Sequence, residues 1–293
     1  MLALWIALLF LFSGLAGAGD QYAGDESCRA CHEELFAHYQ RNVHATAVGR
    51  VGSTTVRGCE SCHGPAARHV ADPSQAGDLI SFKNGEVAPC LACHQESLRL
   101  RRFATSSHGQ GDLACTSCHL SPHQAAPVSL VTSRSFRRST MPTLGRHLKS
   151  AEEDLCLSCH PQLAGSVRLP YHHPVEEGAT RCSSCHNPHD PELASHSVRE
   201  LCLRCHEDKA GPWAFEHAPV VEGCTSCHEP HGSVAPRLLR TGEPFVCLSC
   251  HVVPEDRHGE EVGGTRFAPA FYQKCTACHG AIHGSHGDPH LKK

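Results

Sequence analysis

The sequence predicts a chain of loops and short helices with little or no β-sheet, wrapped around a stack of ten covalently held groups in place of an apolar core. Three observations carry that prediction. The 293 residues include 20 Cys and 26 His but only 10 Phe, 4 Tyr and 2 Trp. All twenty cysteines fall into ten copies of Cys-x-x-Cys-His, which leaves sixteen histidines outside the copies. Charged residues make up 19% of the chain and the formal net charge is -4, which excludes a protein that works mainly through its field on nucleic acid.

At the amino terminus, Leu2 to Phe12 form an apolar run, and Ala16-Gly17-Ala18 follows with small residues at the cleavage positions. That order reads as a secretory signal peptide over residues 1–18, cut after Ala18. A membrane anchor is the competing reading, but the run is short for a span. Beyond Ala18 no stretch approaches a transmembrane helix or the alternating strands of a membrane barrel, so a partner must supply any lipid-facing wall.

The copies are Cys28-Cys31-His32, Cys59-Cys62-His63, Cys90-Cys93-His94, Cys115-Cys118-His119 and Cys156-Cys159-His160 in the first half. Cys182-Cys185-His186, Cys202-Cys205-His206, Cys224-Cys227-His228, Cys247-Cys250-His251 and Cys275-Cys278-His279 follow. Two thiols three residues apart on one helical turn reach the two vinyl groups of a haem, and the next residue turns its imidazole onto the iron. Zinc sites or small disulfides would use the same cysteine pairs but need no histidine after each pair. With His at about 9% of residues, ten such coincidences have a probability on the order of 10⁻¹⁰. The fold class is therefore a multihaem cytochrome c with ten haems c. Fewer than thirty mature residues serve each haem, so the porphyrins themselves must form the core, packed closely enough for electrons to hop.

For the sixth ligands, only Met141 remains after the leader, so histidine must close nearly every iron. The spare histidines follow an internal repeat of two motifs: His44 and His69, His108 and His123, His173 and His189, His217 and His231, His258 and His283. These are ten distal candidates for ten bis-histidine irons. His123, His189 and His231 lie three or four residues after a proximal histidine and cannot easily reach the far face of the same haem, so they should ligate a neighbour. His38, His147, His172, His196, His286 and His290 are left as solvated residues, with His38 and His172 the closest rivals of His44 and His173.

Short helical turns are expected at the motifs, with a longer helix within 32–44, no convincing strand, and Pro and Gly as breakers. Motif count divides the mature chain into pentahaem halves, 19–165 and 166–293. From Arg99 to Lys149 there are eight basic residues against one acid, Asp112. This stretch reads as a solvated loop, as a source of arginines for haem propionates, or as a docking surface for an acidic partner.

Several segments go beyond a generic haem motif: Gly211-Pro212-Trp213-Ala214-Phe215-Glu216-His217-Ala218-Pro219-Val220, the continuation Cys224-Thr225-Ser226-Cys227-His228-Glu229-Pro230-His231-Gly232-Ser233, Cys59 to Pro65 with His69, Cys182 to His189, and His279 to Gly284. In these the chain resembles the decahaem cytochromes of the MtrA/DmsE/PioA type over nearly its whole mature length. The resemblance implies an elongated row of bis-histidine haems inside an outer-membrane β-barrel porin. Its electron partners would be a periplasmic or inner-membrane cytochrome on one side and a multihaem cytochrome or mineral at the outer surface. It implies an exported protein of the periplasm, associated with the outer membrane. The sequence departs from the pattern in its long Ser-, Thr- and Arg-rich stretch 124–154 and its short lead before Cys28.

An extracellular electron conduit of this kind, with no catalytic residues, competes with a soluble periplasmic carrier holding the same haems. A multihaem nitrite or hydroxylamine reductase needs an open iron, and the histidine count can close all ten.

Overall fold

The computed structural model describes residues 21–46, 48–51, 54–75, 79–82, 85–97, 100–124, 148–191, 193–194, 197–252, 260–262, 265–267 and 273–292. The expected leader 1–18, most of the Arg-rich stretch, and His147, His196 and His258 lie outside the described residues. The chain divides into two compact units, Met1–Leu98 with Leu113–Ala125, and Arg99–Asp112 with Ala126–Lys293. The first contains motifs one to four and the second motifs five to ten. This division follows packing, whereas the expected halves at 165/166 follow motif count.

Regular structure is short, and most of it is built on the motifs. In the first unit the helices Asp25–Arg29, Glu60–His63, Ala88–His94 and Cys115–Cys118 each carry motif cysteines. The helix expected within 32–44 is confined to Glu33–Tyr39, and a separate 3₁₀ turn, Val43–Thr46, carries His44. Tyr39 is buried, which pushes its phenol up to about 12, and its hydroxyl donates to the His44 carbonyl at 2.6 Å. Glu60 is also buried, its carboxylate accepting from the backbone N–H groups of Ala23, Gly24 and Ala66 at 2.8–2.9 Å. A carboxylate is tolerated there because each oxygen is hydrogen-bonded.

Two antiparallel hairpins were not expected. Strands β1 (Val48–Val51) and β2 (Thr54–Arg57) pair from Val48↔Arg57 to Val51↔Thr54. Strands β3 (Glu260–Val262) and β4 (Thr265–Phe267) pair from Glu260↔Phe267 to Val262↔Thr265. Two residues separate the strands in each case, Gly-Ser and Gly-Gly, the composition that two-residue hairpins require.

In the second unit the motif turns lie in Glu152–Cys159, Cys182–Cys185, Val198–Leu203, Phe245–Leu248 and the 3₁₀ turns Cys224–Ser226 and Cys275–Ala277. Single backbone bridges connect the intervening loops: Tyr171 with Ser233, and Phe215 with Ser285. Among the described residues the buried apolar side chains are Tyr39, Val56, Ala66, Phe103, Ala151, Val167 and Ala235, too few and too scattered for a conventional core. Among the described residues no helix is long and apolar enough to cross a membrane.

Candidate haem-binding sites

Each attachment turn is fixed locally. In nine motifs the backbone N–H of the proximal histidine donates to the carbonyl of the first cysteine at 2.9–3.0 Å, closing a single helical turn. In the third motif the whole sequence Cys90 to His94 is helical. This places the two thiols and the imidazole at one end of a short rigid element, as covalent attachment requires. Among the described residues no disulfide links the cysteines, and no three His, Cys, Asp or Glu side chains converge as a zinc site would need. Burial, with Asp25 and Cys28 alongside, pushes the Cys59 thiol up to about 12, and burial beside Cys275 does the same for Cys247.

The spare histidines meet the proximal ones across space. Ring centroids are 6.3 Å apart for His32 and His69, 5.8 Å for His63 and His123, and 6.2 Å for His94 and His44. In the second unit they are 6.2 Å for His160 and His108, 5.9 Å for His186 and His231, and 6.2 Å for His206 and His173. His228 and His283 are 6.3 Å apart, and His251 and His217 are 5.9 Å apart. Packed imidazoles would approach more closely. Two ring nitrogens each about 2 Å from a shared metal put their ring centres about 6.3 Å apart, so the gap admits one iron. The donor set fits haem c.

Hydrogen bonds at the other ring nitrogen fix which nitrogen faces the gap. Nδ1 of His63 donates to the Ile80 carbonyl at 2.9 Å, that of His228 to Arg237 at 2.8 Å and that of His279 to His290 at 2.7 Å. On the distal side, Nδ1 of His108 donates to the Pro188 carbonyl at 3.0 Å and that of His173 to Pro230 at 2.8 Å, while His217 faces the Ile282 carbonyl. His44 Nδ1 bonds to Asn42 Oδ1 at 2.9 Å. A proton held on Nδ1 leaves the Nε2 lone pair for a metal. Burial pushes His123, His186, His217 and His283 down, which keeps them neutral as a ligand must be.

The distal loops form a repeat of their own. The carbonyls that hold His108 and His173 belong to the residues immediately before His189 and His231, and Ile282, the residue before His283, lies beside His217. Gly232 and Gly284, the residues after two of these, have φ of 153° and 141°. A Cβ there would lie 1.9 Å from the Ser166 carbonyl oxygen and 2.2 Å from the Trp213 ring respectively, so only glycine fits. His189 lies with its ring 6.3 Å from Phe103.

The four histidines expected to be solvated that lie among the described residues make side-chain contacts of their own. His172 bonds through Nδ1 to the Leu169 carbonyl and through Nε2 to Glu177 at 3.2 Å, so both nitrogens are occupied one residue away from His173. His38 contacts Arg41 and Glu34, His286 packs 5.0 Å from Trp213, and Nδ1 of His290 lies 3.5 Å from Asp288. Of the basic stretch, Arg102 pairs with Asp190 at 3.3 Å.

Neighbouring motifs touch in chain order. The first cysteines lie side by side in pairs, close enough to perturb one another's titration: Cys28 with Cys59, Cys90 with Cys115, Cys156 with Cys182, Cys202 with Cys224 and Cys247 with Cys275. Between these pairs, Cys62 is close enough to Cys90, Cys185 to Cys205 and Cys227 to Cys250 to perturb it electrostatically. Within each unit the attachment turns therefore run in sequence order, one to four and five to ten.

Comparison with known proteins agrees with this chemistry. Residues 172–211 and 217–255 match the family model described as a doubled CXXCH motif. The chain is 32% identical over 208 residues to multiheme cytochrome MtrA of Shewanella baltica, covering 67% of this chain and 56% of that protein. It is 24% identical over 211 residues to the C-type polyheme cytochrome OmcB of Geobacter sulfurreducens, covering 59% of this chain and 26% of that one. The chain thus spans little more than half of the first relative and about a quarter of the second.

Proposed function

This chain is a multihaem c-type cytochrome of the MtrA type, and from that premise we propose that it holds ten haems c with two histidine ligands each and carries electrons along them between the periplasm and the cell exterior, inside an outer-membrane β-barrel porin. The observation that carries the ligand assignment is the set of eight facing histidine pairs at 5.8–6.3 Å, each with one proximal and one distal member. When bound, haem supplies a one-electron iron couple, kept low in potential by histidine on both faces.

The chain's own residues hold, orient and order these groups. Cysteines anchor each porphyrin, and the local helical turn aims the proximal imidazole. Backbone carbonyls fix the tautomer of one ligand in several pairs, the proximal His63 and His228 and the distal His108 and His173. His69 serves the first motif, and His123, His231 and His283 serve the second, sixth and eighth. His44, His108, His173 and His217 serve the third, fifth, seventh and ninth. In this register the distal histidine between motifs 2n−1 and 2n serves motif 2n+1. The last interval, before the tenth motif, contains His258, which takes the tenth iron, and His189 completes the set of ten distal ligands. With every iron closed on both faces no substrate site remains, so the protein transfers electrons and does not turn over a small molecule. A periplasmic or inner-membrane cytochrome exchanges electrons at one end and a multihaem cytochrome at the outer surface takes the other.

The test is fractionation of cells by haem stain, purification in mild detergent, and mass spectrometry of the chain and of whatever accompanies it. Ten haems, all low-spin, in an outer-membrane fraction with a β-barrel partner is the expected result. A solitary soluble protein would replace the conduit with a periplasmic carrier, and a high-spin iron that consumes nitrite would replace both with an enzyme.

A further inference from the structure

Carboxylates outside the motifs join the attachment turns two by two. Glu152 lies four residues before Cys156 and is 6% exposed. Its Oε1 accepts from the backbone N–H of Ser183 at 2.7 Å and its Oε2 from the Ser183 hydroxyl at 3.0 Å. Ser183 is the residue after Cys182, the first cysteine of the sixth motif. Glu243 lies four residues before Cys247 and repeats the arrangement, accepting from both the N–H and the hydroxyl of Thr276 at 2.9 Å, directly after Cys275 of the tenth motif. In each case a first-turn N–H that has no acceptor within its own helical turn receives a negative partner from the neighbouring motif.

The first pair makes the same connection with the direction reversed. There the residue after the first cysteine of the second motif is itself acidic. Glu60 reaches back to Ala23 and Gly24, while Asp25 accepts from the Cys59 N–H at 2.8 Å. The third and fourth motifs carry the same residue types, Glu86 and Thr116, and Glu86 Oε2 is buried without a hydrogen bond. The seventh and eighth motifs differ. Val198 occupies the place four residues before Cys202, Thr225 still follows Cys224, and the turn Cys224–Ser226 has no side-chain cap.

We propose that Glu152 and Glu243 are positioning residues that clasp the fifth to the sixth and the ninth to the tenth attachment turn, and so set the separation and electronic coupling within those haem pairs. The inference rests on the proposed ten-haem reading. Their carboxylates touch no reacting atom and act through the backbone of the neighbouring turn. The clasp spans the same two turns whose first cysteines lie side by side. Its bonds are charge-assisted, and the Glu152 carboxylate that makes two of them is buried, where such contacts are at their strongest.

The experiment uses the full haem-loaded chain. Haems are counted by mass spectrometry, and the parent is then compared with Glu152→Ala, Glu152→Gln, Ser183→Ala and Val198→Glu by potentiometric titration and by the spin–spin interaction between neighbouring ferric haems. Both Glu152 variants are expected to keep ten haems, to weaken the coupling of one pair and to shift the midpoints of two haems, leaving the other eight unchanged. Ser183→Ala, which preserves the N–H bond, should give the same change at reduced size. Val198→Glu, placed opposite Thr225, should strengthen the coupling of the seventh and eighth. Unaltered coupling and midpoints in the Glu152 variants, with ten haems retained, would overturn the clasp. Should those variants lose haem, Ser183→Ala and Val198→Glu decide, and no effect in either overturns it. A parent with fewer than ten low-spin haems would instead refute the ten-haem reading.

Discussion

From the third motif to the ninth, odd-numbered motifs face a second histidine upstream along the chain, whereas the second, sixth and eighth face one downstream, as the first does with His69. Motifs three, five, seven and nine face histidines that lie upstream: His44, His108, His173 and His217. Motifs two, six and eight face His123, His231 and His283, which lie downstream. The ring planes differ too. They are inclined by 13–19° at the second, sixth and eighth motifs and by 46–72° at the third, fifth and seventh, while the first and ninth, at 22° and 24°, side with the former. Two kinds of loop supply these histidines. The downstream histidines sit on a turn three or four residues after a proximal ligand, whereas the upstream ones sit shortly before the next motif, with Nδ1 of His108 and His173 held by the carbonyl before a downstream histidine. The two classes are therefore interlocked, and a fault in one loop should reach both.

Gly232→Val tests that interlock most severely. A Cβ would lie 1.9 Å from the Ser166 carbonyl oxygen, at a φ that valine resists, so the loop carrying Pro230 and His231 must move. The expected outcome is a loss of about 3 kcal/mol or more in unfolding free energy. High-spin character should appear at both an even and an odd site, read by electron paramagnetic resonance; a single altered iron would show the sites to be independent. His231→Ala is milder, because it removes the ligand but leaves the Pro230 carbonyl for His173. All ten haems should stay attached and one iron should become high-spin, and an unchanged low-spin count would remove His231 from the ligand set. His172→Ala has the smallest effect. Its ring nitrogens are spent on Leu169 and Glu177, so no new high-spin signal and a change within about 0.5 kcal/mol are expected.

The attachment turns were legible because everything that forms them lies within five residues: the thiols, the imidazole and the hydrogen bond that closes the turn. The scarcity of apolar core followed directly from composition. The hairpins leave a trace in Gly52-Ser53 and Gly263-Gly264, each set between short stretches that contain strand-forming residues, a weak signal beside the cysteine motifs. The pairing of distal with proximal histidines depends on contacts such as His108 to Pro188, eighty residues apart, and nothing local encodes them. His172 and His173 make the point most sharply. As neighbours they are chemically identical in sequence, and only the fold gives one an acceptor at both nitrogens and the other an open Nε2. The carboxylate before the odd motif does leave a trace, Glu four residues ahead of the first cysteine and Ser or Thr after the first cysteine of the next motif, in three of the five pairs.

The alternation of upstream and downstream partners also has a meaning in time. For a chain that emerges amino terminus first, the third, fifth, seventh and ninth motifs arrive with their second histidine already outside, and each can close as soon as its porphyrin is attached. The second, sixth and eighth must wait until two further motifs have followed. Under the proposed pairing and export, maturation would advance as a ratchet in which each newly exported segment completes one site ahead of it and one behind, and the last histidines to appear would seal irons loaded long before.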